Sequence, residues 1–374
     1  MDNYYLDASA VISLYKISGK KHLFITGNRG SGKSYLMDAI TNLMFGSFNY
    51  LKSWRTDNPN PCVVIKSNII DNGKESIIGV PRSLTPDSSC KGSNMRIVEE
   101  GFLNCAIPAI QMHLKNDSDK LFIIDELGYL ETSCTSFQEA VYALLDQSHV
   151  FAVIRKQSTE FLNKISSRDD VLLIDIDNTF DSISCIIMAS GISKRFGSNK
   201  LLADFRGLNL FENALSESCF VKFGNILAVT RHQEIADICD YSGIDCIIHS
   251  LPYRNDMIRL GVSHTLETAK TDGILFLPSD QPLISRTSMQ LLCLAFLYYK
   301  DKICRLSFNG TAGSPVIFPS RYYDELLTLP EGKGGGFLTK KYPEQVILIP
   351  AQDEYELSDI DTPDDLTRLL QYPQ

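Results

Sequence analysis

Short apolar runs alternate with stretches of helical periodicity from one end of the 374-residue chain to the other. Brief apolar runs closed by turn residues read as buried strands, and the longer amphipathic stretches between them as helices. In the first half this pattern predicts strands at 22–26, 62–65, 121–124, 151–154 and 171–174. In the second it predicts 183–189, 226–230, 246–248, 274–277, 315–318 and 346–349. Strand and helix alternating in this way predict α/β layers built on parallel sheets. Residues 57–94 are rich in Asn, Asp, Ser, Gly and Pro and read as loops and short strands inserted in the first half. The polar segment DIDNTFDS at 175–182 follows a strand, and the domain boundary is placed there, giving domains 1–178 and 179–374. The chain is past the size at which one core usually splits, which agrees with two domains. The apolar stretch MQLLCLAFLYY (289–299) has helix length and reads as core.

Composition adds mostly exclusions. Hydrophobic residues are 44% and charged residues 22%, as in ordinary globular chains. A net charge of -9 excludes a protein that coats nucleic acid, which needs a basic surface. The ten cysteines are scattered with no CxxC pair, so neither a zinc site nor a dithiol motif is expected. The six histidines show no HxH or HxxxH spacing, and none is expected to ligate metal. No long uncharged apolar run and no secretory leader pattern is seen. A reduced, cytoplasmic protein with neither membrane nor nucleic-acid partners is expected, and its oligomeric state is left open.

Residues 27–34 read GNRGSGKS, the pattern G-x-x-x-x-G-K-[ST], between an apolar strand and a helical stretch. Glycines let such a loop curl, so that the N–H groups of Gly27, Gly30, Ser31 and Gly32 face phosphate at a helix N-terminus. Lys33 would reach the β- and γ-phosphates, and Ser34 would hold Mg²⁺. A second carboxylate is needed at the end of a neighbouring strand, and KLFIIDELGYLE supplies Asp125, with Glu126 to orient the attacking water. These residues, with IIDELGYLETSCTSFQEAV and VFAVIRKQSTEFLNKI, resemble the THEP-type nucleoside-triphosphatases over most of the first 178 residues. The resemblance implies a P-loop NTPase domain that hydrolyses ATP or GTP. Arg29, Arg155 and Lys156 are read either as further charge near the phosphates or as solvated surface cations.

From Met188 the second half runs MASGISKRFGSNK directly after a strand. A glycine-containing turn followed by Arg195 and Lys200 is a second kind of phosphate loop, whose two cations neutralise a departing pyrophosphate. Asp280 ends the run GILFLPSD, and Asp359 and Asp361 stand in LSDIDTPDDL, which together offer metal-side carboxylates. With the segments GVS (261–263), DQP (280–282) and GTAGSPVIF (310–318), the sequence resembles the MobA/MocA-like nucleotidyltransferases, most closely the molybdenum cofactor cytidylyltransferases.

That resemblance implies a Rossmann-like, GT-A-like nucleotidyltransferase, so that the whole chain becomes two doubly wound α/β domains. It places Ala189, Gly191, Ser193, Arg195 and Lys200 on the triphosphate and Gly261 and Ser263 at the nucleotide site. Gly313 lies with Ser314 and Pro315 on the acceptor side. Asp280 would ligate Mg²⁺, with either Asp359 or Asp361 as its partner. The implied reaction joins CMP from CTP to a molybdopterin-type substrate and releases pyrophosphate, with a client molybdenum hydroxylase as the onward partner. Ser190 stands where cytidylyl members usually have Ala and guanylyl members Gly, which leans towards the pyrimidine. Guanylyl or sugar-phosphate transfer remains an alternative, as does a non-catalytic chaperone that delivers the cofactor.

Overall fold

A computed structural model describes residues 6–372 apart from 45, 58–59, 71–72, 74, 83–94, 192 and 194. The chain divides into two compact units, Tyr15–Asn178 and a second made of Met1–Leu14 with Thr179–Gln374. The N-terminal residues therefore differ from the sequence-based division, which placed them in the first domain. The reason is local: Asp7 accepts a hydrogen bond from Thr287 Oγ1 (2.7 Å), and its own N–H donates to Gln290 Oε1 (2.7 Å).

The first domain's strands are β1 (His22–Gly27), β2 (Phe48–Thr56), β3 (Cys62–Ser67), β4 (Ser76–Pro81), β5 (Met95–Ile97), β6 (Leu121–Leu127), β7 (His149–Arg155) and β8 (Val171–Asp175). They form one sheet in the order β5-β4-β3-β2-β6-β7-β1-β8. β2, β6, β7, β1 and β8 run parallel, and β3, β4 and β5 extend the edge antiparallel. The sheet is mixed, with parallel strands dominant, as the α/β reading expected. Every residue of β1 is buried, as a central parallel strand covered on both faces requires. Phe24, Phe102, Phe122, Phe137 and Phe161 fill the core, each contributing about 1.5–3 kcal/mol by burial.

In the second domain the strands are β9 (Ile183–Ala189), a short hairpin of β10 (Asp204–Phe205) and β11 (Leu208–Asn209), β12 (Asn225–Thr230), β13 (Asp245–Ile248), β14 (Gly273–Pro278), β15 (Ile303–Phe308), β16 (Thr311–Pro319) and β17 (Val346–Pro350). The main sheet has the order β13-β12-β9-β14-β16-β15-β17. Its first four strands are parallel, β16 runs against β14 and β15, and β17 lies parallel to β15. The helix Arg286–Tyr299 is capped by Ser285, which accepts from the Ser288 N–H, and it buries Ser288 to Phe296 as core. Among the described residues no helix is long and apolar enough to cross a membrane. In each domain the chemistry-bearing loops leave the carboxyl ends of parallel strands, where open α/β sheets bind ligands.

Candidate active sites

The first-domain loop leaves β1 at Gly27 and enters the helix Lys33–Leu43. Gly30 (φ +80°) and Gly32 (φ +92°) take left-handed backbone that costs other residues about 1–2 kcal/mol. Gly27 is needed for space, because a Cβ there would lie 2.7 Å from Ser31 Oγ and 2.9 Å from Ile176 Cγ1. Ser31 closes the turn by donating its hydroxyl to Asn28 O at 2.8 Å. The buried Lys33 folds over the loop and donates to Asn28 O (2.8 Å) and Gly27 O (3.1 Å). Asp177 anchors the loop entry by accepting from the Asn28 N–H at 2.7 Å.

Asp125 ends the apolar part of β6. β7 lies between β6 and β1, so the strand is next but one to the loop strand, not its neighbour as the sequence reading had it. The two sides still meet, since Ser34 Oγ donates to Asp125 Oδ1 at 3.0 Å. Burial pushes the Asp125 carboxyl above its ordinary range, opposed by the Ser34 hydrogen bond and by Lys52, 3.8 Å away. A register shift between Asp125 and Leu127 falls at Glu126. Glu126 accepts from Arg155 Nε at 2.8 Å and stands 3.8 Å from Lys33 Nζ. Arg155 is thus engaged by a carboxylate, whose charge outweighs the effect of burial and holds the guanidinium protonated. Lys156 pairs with Asp175 (2.6 Å) and Asp177 (3.2 Å), and Arg29 is exposed in the loop.

Three groups here escaped the sequence reading: Lys52, Asp177 and Glu131. Glu131 is enclosed, accepts from the Gly128 N–H at 2.8 Å, and is pushed up to about 7 by burial.

In the second domain, Lys200 is buried and donates to Asp280 Oδ2 (2.8 Å) and Asp361 Oδ1 (2.9 Å). Its burial disfavours the ammonium, but the two carboxylates outweigh this and raise its pKa. The exposed Arg195 donates to Asp361 Oδ2 at 2.5 Å, and Ser193, in left-handed backbone (φ +52°), accepts from the Lys200 N–H at 3.2 Å. Lys200 holds the Asp361 carboxyl below the ordinary range. Asp359 turns to Gln281 Nε2 (2.7 Å), and burial followed by the nearby Asp280 charge raises its carboxyl. Asp361, not Asp359, thus shares Lys200 with Asp280. Ser190 donates its hydroxyl to Val229 O at 3.0 Å and sits 2.9 Å from His249 Nε2, so its hydroxyl is engaged within the fold. Gly191 is open, with no atom nearer a virtual Cβ than Lys200 Cε at 3.8 Å.

Of the remaining candidate positions, Gly261 and Ser263 stand on a helix, and Ala189 and Gly313 on strands. The first two lie inside the helix Arg254–Thr268. A Cβ on Gly261 would meet Ile186 Cδ1 at 3.0 Å, so this glycine lets the helix close on the sheet. At Gly313 a Cβ would meet Leu357 at 2.8 Å, and its carbonyl is taken by Arg305, so the absence of a side chain allows a close approach there. Ala189 is fully buried and its carbonyl accepts from Thr230 Oγ1 at 2.9 Å.

Among the described residues no three acidic, His or Cys side chains form a ready metal cage. Both oxygen sets nevertheless fit Mg²⁺, which commonly takes one or two carboxylates and completes its shell with phosphate oxygens and water. Ser34 with Asp125 would hold it in the first domain, and Asp280 with Asp361 in the second.

Residues 22–183 match the family model described as NTPase, and residues 185–346 the one described as MobA-like NTP transferase domain. The nucleoside-triphosphatase THEP1 of Thermotoga sp. (strain RQ2) is 30% identical over 161 residues, 41% of this chain and 86% of that protein. The purine catabolism protein PucB of Bacillus subtilis (strain 168) is 26% identical over 196 residues, 48% of this chain and 92% of that protein. Among solved structures, a nucleotidyl transferase from Methanothermobacter thermautotroptrophicus is 18% identical with a TM-score of 0.44, covering 50% of this chain and 95% of that one.

Proposed function

The chain belongs to the THEP1-type nucleoside-triphosphatases through residues 22–183 and carries a MobA-like NTP transferase domain at 185–346, and from that premise we propose a Mg²⁺-dependent cytidylyl transfer in its second domain. CMP passes from CTP to the terminal phosphate of a molybdopterin-type acceptor. An acceptor phosphate oxygen bonds to the α-phosphorus, the bond from that phosphorus to the bridging oxygen breaks, and pyrophosphate leaves with the electron pair. Asp280 and Asp361 would hold Mg²⁺, which would supply neutralising charge to the triphosphate. Lys200 and Arg195 stabilise the charge that gathers on the leaving group. The observation that carries this reading is Lys200, a buried ammonium held 2.8 and 2.9 Å from two carboxylates at the mouth of a glycine-containing loop. Ser190 supports the pyrimidine, because its Cβ fills space that a glycine would leave to a larger base.

In the first domain the P-loop holds ATP or GTP. Lys33 leaves its loop carbonyls for the β- and γ-phosphates, and Glu126, set between Arg155 and Lys33, orients water. Hydrolysis there is coupled to handing the finished cofactor to a client hydroxylase. Lys33→Ala in cells should therefore lower client activation, and unchanged activation sinks the coupling.

The central test follows pyrophosphate release from CTP or GTP with molybdenum-loaded molybdopterin, for wild type, Asp280→Ala and Lys33→Ala. Release with CTP that Asp280→Ala abolishes and Lys33→Ala keeps is the expected result. Release with GTP alone assigns guanylyl transfer, and none with either nucleotide favours a delivery chaperone.

A further inference from the structure

A cavity of about 460 Å³ opens in the first domain beside Asp125 and away from the phosphate loop's own carbonyls. Its walls come from the helix Lys33–Leu43 (Met37, Asp38, Thr41) and from the sheet (Phe48, Tyr50, Ile123). The volume falls within the range of small-molecule sites, roughly 300–1,000 Å³.

The sheet face explains its chemistry. Side chains alternate along a strand, so Phe48, Tyr50, Lys52 and Trp54 of β2 share one face. The register places Lys66 of β3 directly opposite Lys52, and Asp125 of β6 opposite Lys52 on the other side. Like charges facing each other across antiparallel strands are destabilising. Lys52 is relieved by Asp38 (3.6 Å) and Asp125 (3.8 Å). Among the described residues Lys66 has no carboxylate partner, and its ammonium stands 5.3 Å over the Trp54 ring. The cavity therefore combines an apolar, aromatic wall with an ammonium that has no carboxylate partner among the described residues, and its lining includes Asp125, which accepts from Ser34.

We propose that this cavity binds a second ligand of the first domain: a phosphorylated aromatic heterocycle of nucleoside monophosphate size, with its ring against Phe48 and Tyr50 and its phosphate on Lys66 and Lys52. Its phosphate then lies beside the Ser34–Asp125 pair, so occupancy bears directly on hydrolysis at the loop. The proposal rests on the first domain alone and is independent of the nucleotide used by the second.

Trp54 is the sole tryptophan and reports on Lys66 directly. The test is a titration of the full chain with CMP, GMP and AMP, followed by tryptophan fluorescence and by calorimetry. Lys33→Ala serves as a background in which the phosphate loop is disabled. At least one monophosphate should bind with a change in Trp54 emission, in Lys33→Ala as in wild type. Lys66→Gln should weaken it tenfold or more, Lys66→Arg should restore most of the affinity, and inorganic phosphate or the neutral nucleoside should bind at least tenfold more weakly. Circular dichroism of both Lys66 variants checks that they fold. No binding by any of the three overturns the proposal, as does binding that Lys33→Ala abolishes and Lys66→Gln leaves intact.

Discussion

Replacing Lys200 with methionine keeps the length and apolar stem of the side chain and removes the ammonium. The Lys200 side chain is 6% exposed, against 27% for Asp280 and 38% for Asp361. The Asp361 pair, with its carboxylate over a third exposed, is screened and contributes about 0.2–1 kcal/mol. The hydrogen bond to Asp280 is charge-assisted and better enclosed, worth about 1.5–3 kcal/mol. Against that loss, the variant no longer buries an ammonium, so the net destabilisation should be about 1–3 kcal/mol. The catalytic loss is separate. A positioned cation aimed at the leaving pyrophosphate should be worth about 10²–10³ in kcat, or about 2.7–4 kcal/mol. The assay pairs urea unfolding with initial rates of pyrophosphate release over a range of CTP. A folded Lys200→Met protein should lose kcat far more than it gains in KM. If it keeps kcat/KM within threefold of wild type, the assignment of Lys200 to the transition state is wrong.

Glu131 predicts a pH effect on the first domain's stability. Burial raises its carboxyl from 4.5 to about 7, and a raised acid favours the fold only while protonated. Its contribution is full below about pH 4.5 and is lost as pH rises through 7, at most about 3 kcal/mol. Glu131→Gln keeps an acceptor for the Gly128 N–H, so its urea midpoint should fall less than wild type's between about pH 5 and pH 8; equal slopes contradict the argument. Gly261→Val overpacks the contact with Ile186 and Val229 and should cost about 1–3 kcal/mol. Its KM for CTP should stay unchanged, and a raised KM in a folded variant would return Gly261 to the nucleotide site. In calorimetry, CTP should bind the second domain at least tenfold more weakly without Mg²⁺, and equal affinity would show that Asp280 and Asp361 do not share the metal.

The phosphate loop was legible because its requirements are contiguous: left-handed backbone at Gly30 and Gly32 and a lysine one residue on. Asp125 and Asp280 were legible as acids ending apolar runs. Lys52 was not, because the signal that matters is its register opposite Asp125, and FNYLKSWRT mixes ring, polar and cationic positions in a way that reads as loop. β15 was hidden similarly, since Arg305 interrupts ICRLSF and its partner, the Gly313 carbonyl, is known only once β15 and β16 pair. Asp177 was read as part of a polar linker because its role is to accept the N–H of Asn28, far away in sequence. At Gly261 the string alone could not show the close helix–sheet contact, because Ile186 and Val229 come near only once the sheet is formed.

The two sites hold their lysines differently, and the difference sets how each must engage a triphosphate. Lys33 leans on two neutral backbone carbonyls, with one carboxylate, Glu126, farther off at 3.8 Å. Asp125 keeps Lys52 when Lys33 turns to phosphate, so phosphate binding draws Lys33 from one carboxylate only, Glu126. Lys200 leans on two carboxylates. If it turns to phosphate, Asp280 and Asp361 lose the charge between them, with Asp359 adding a third negative group nearby. Like charges that close disfavour ionisation of one another. A divalent cation removes that penalty, so nucleotide and metal must bind the second domain together, whereas the first is arranged to take its nucleotide with a weaker demand for metal.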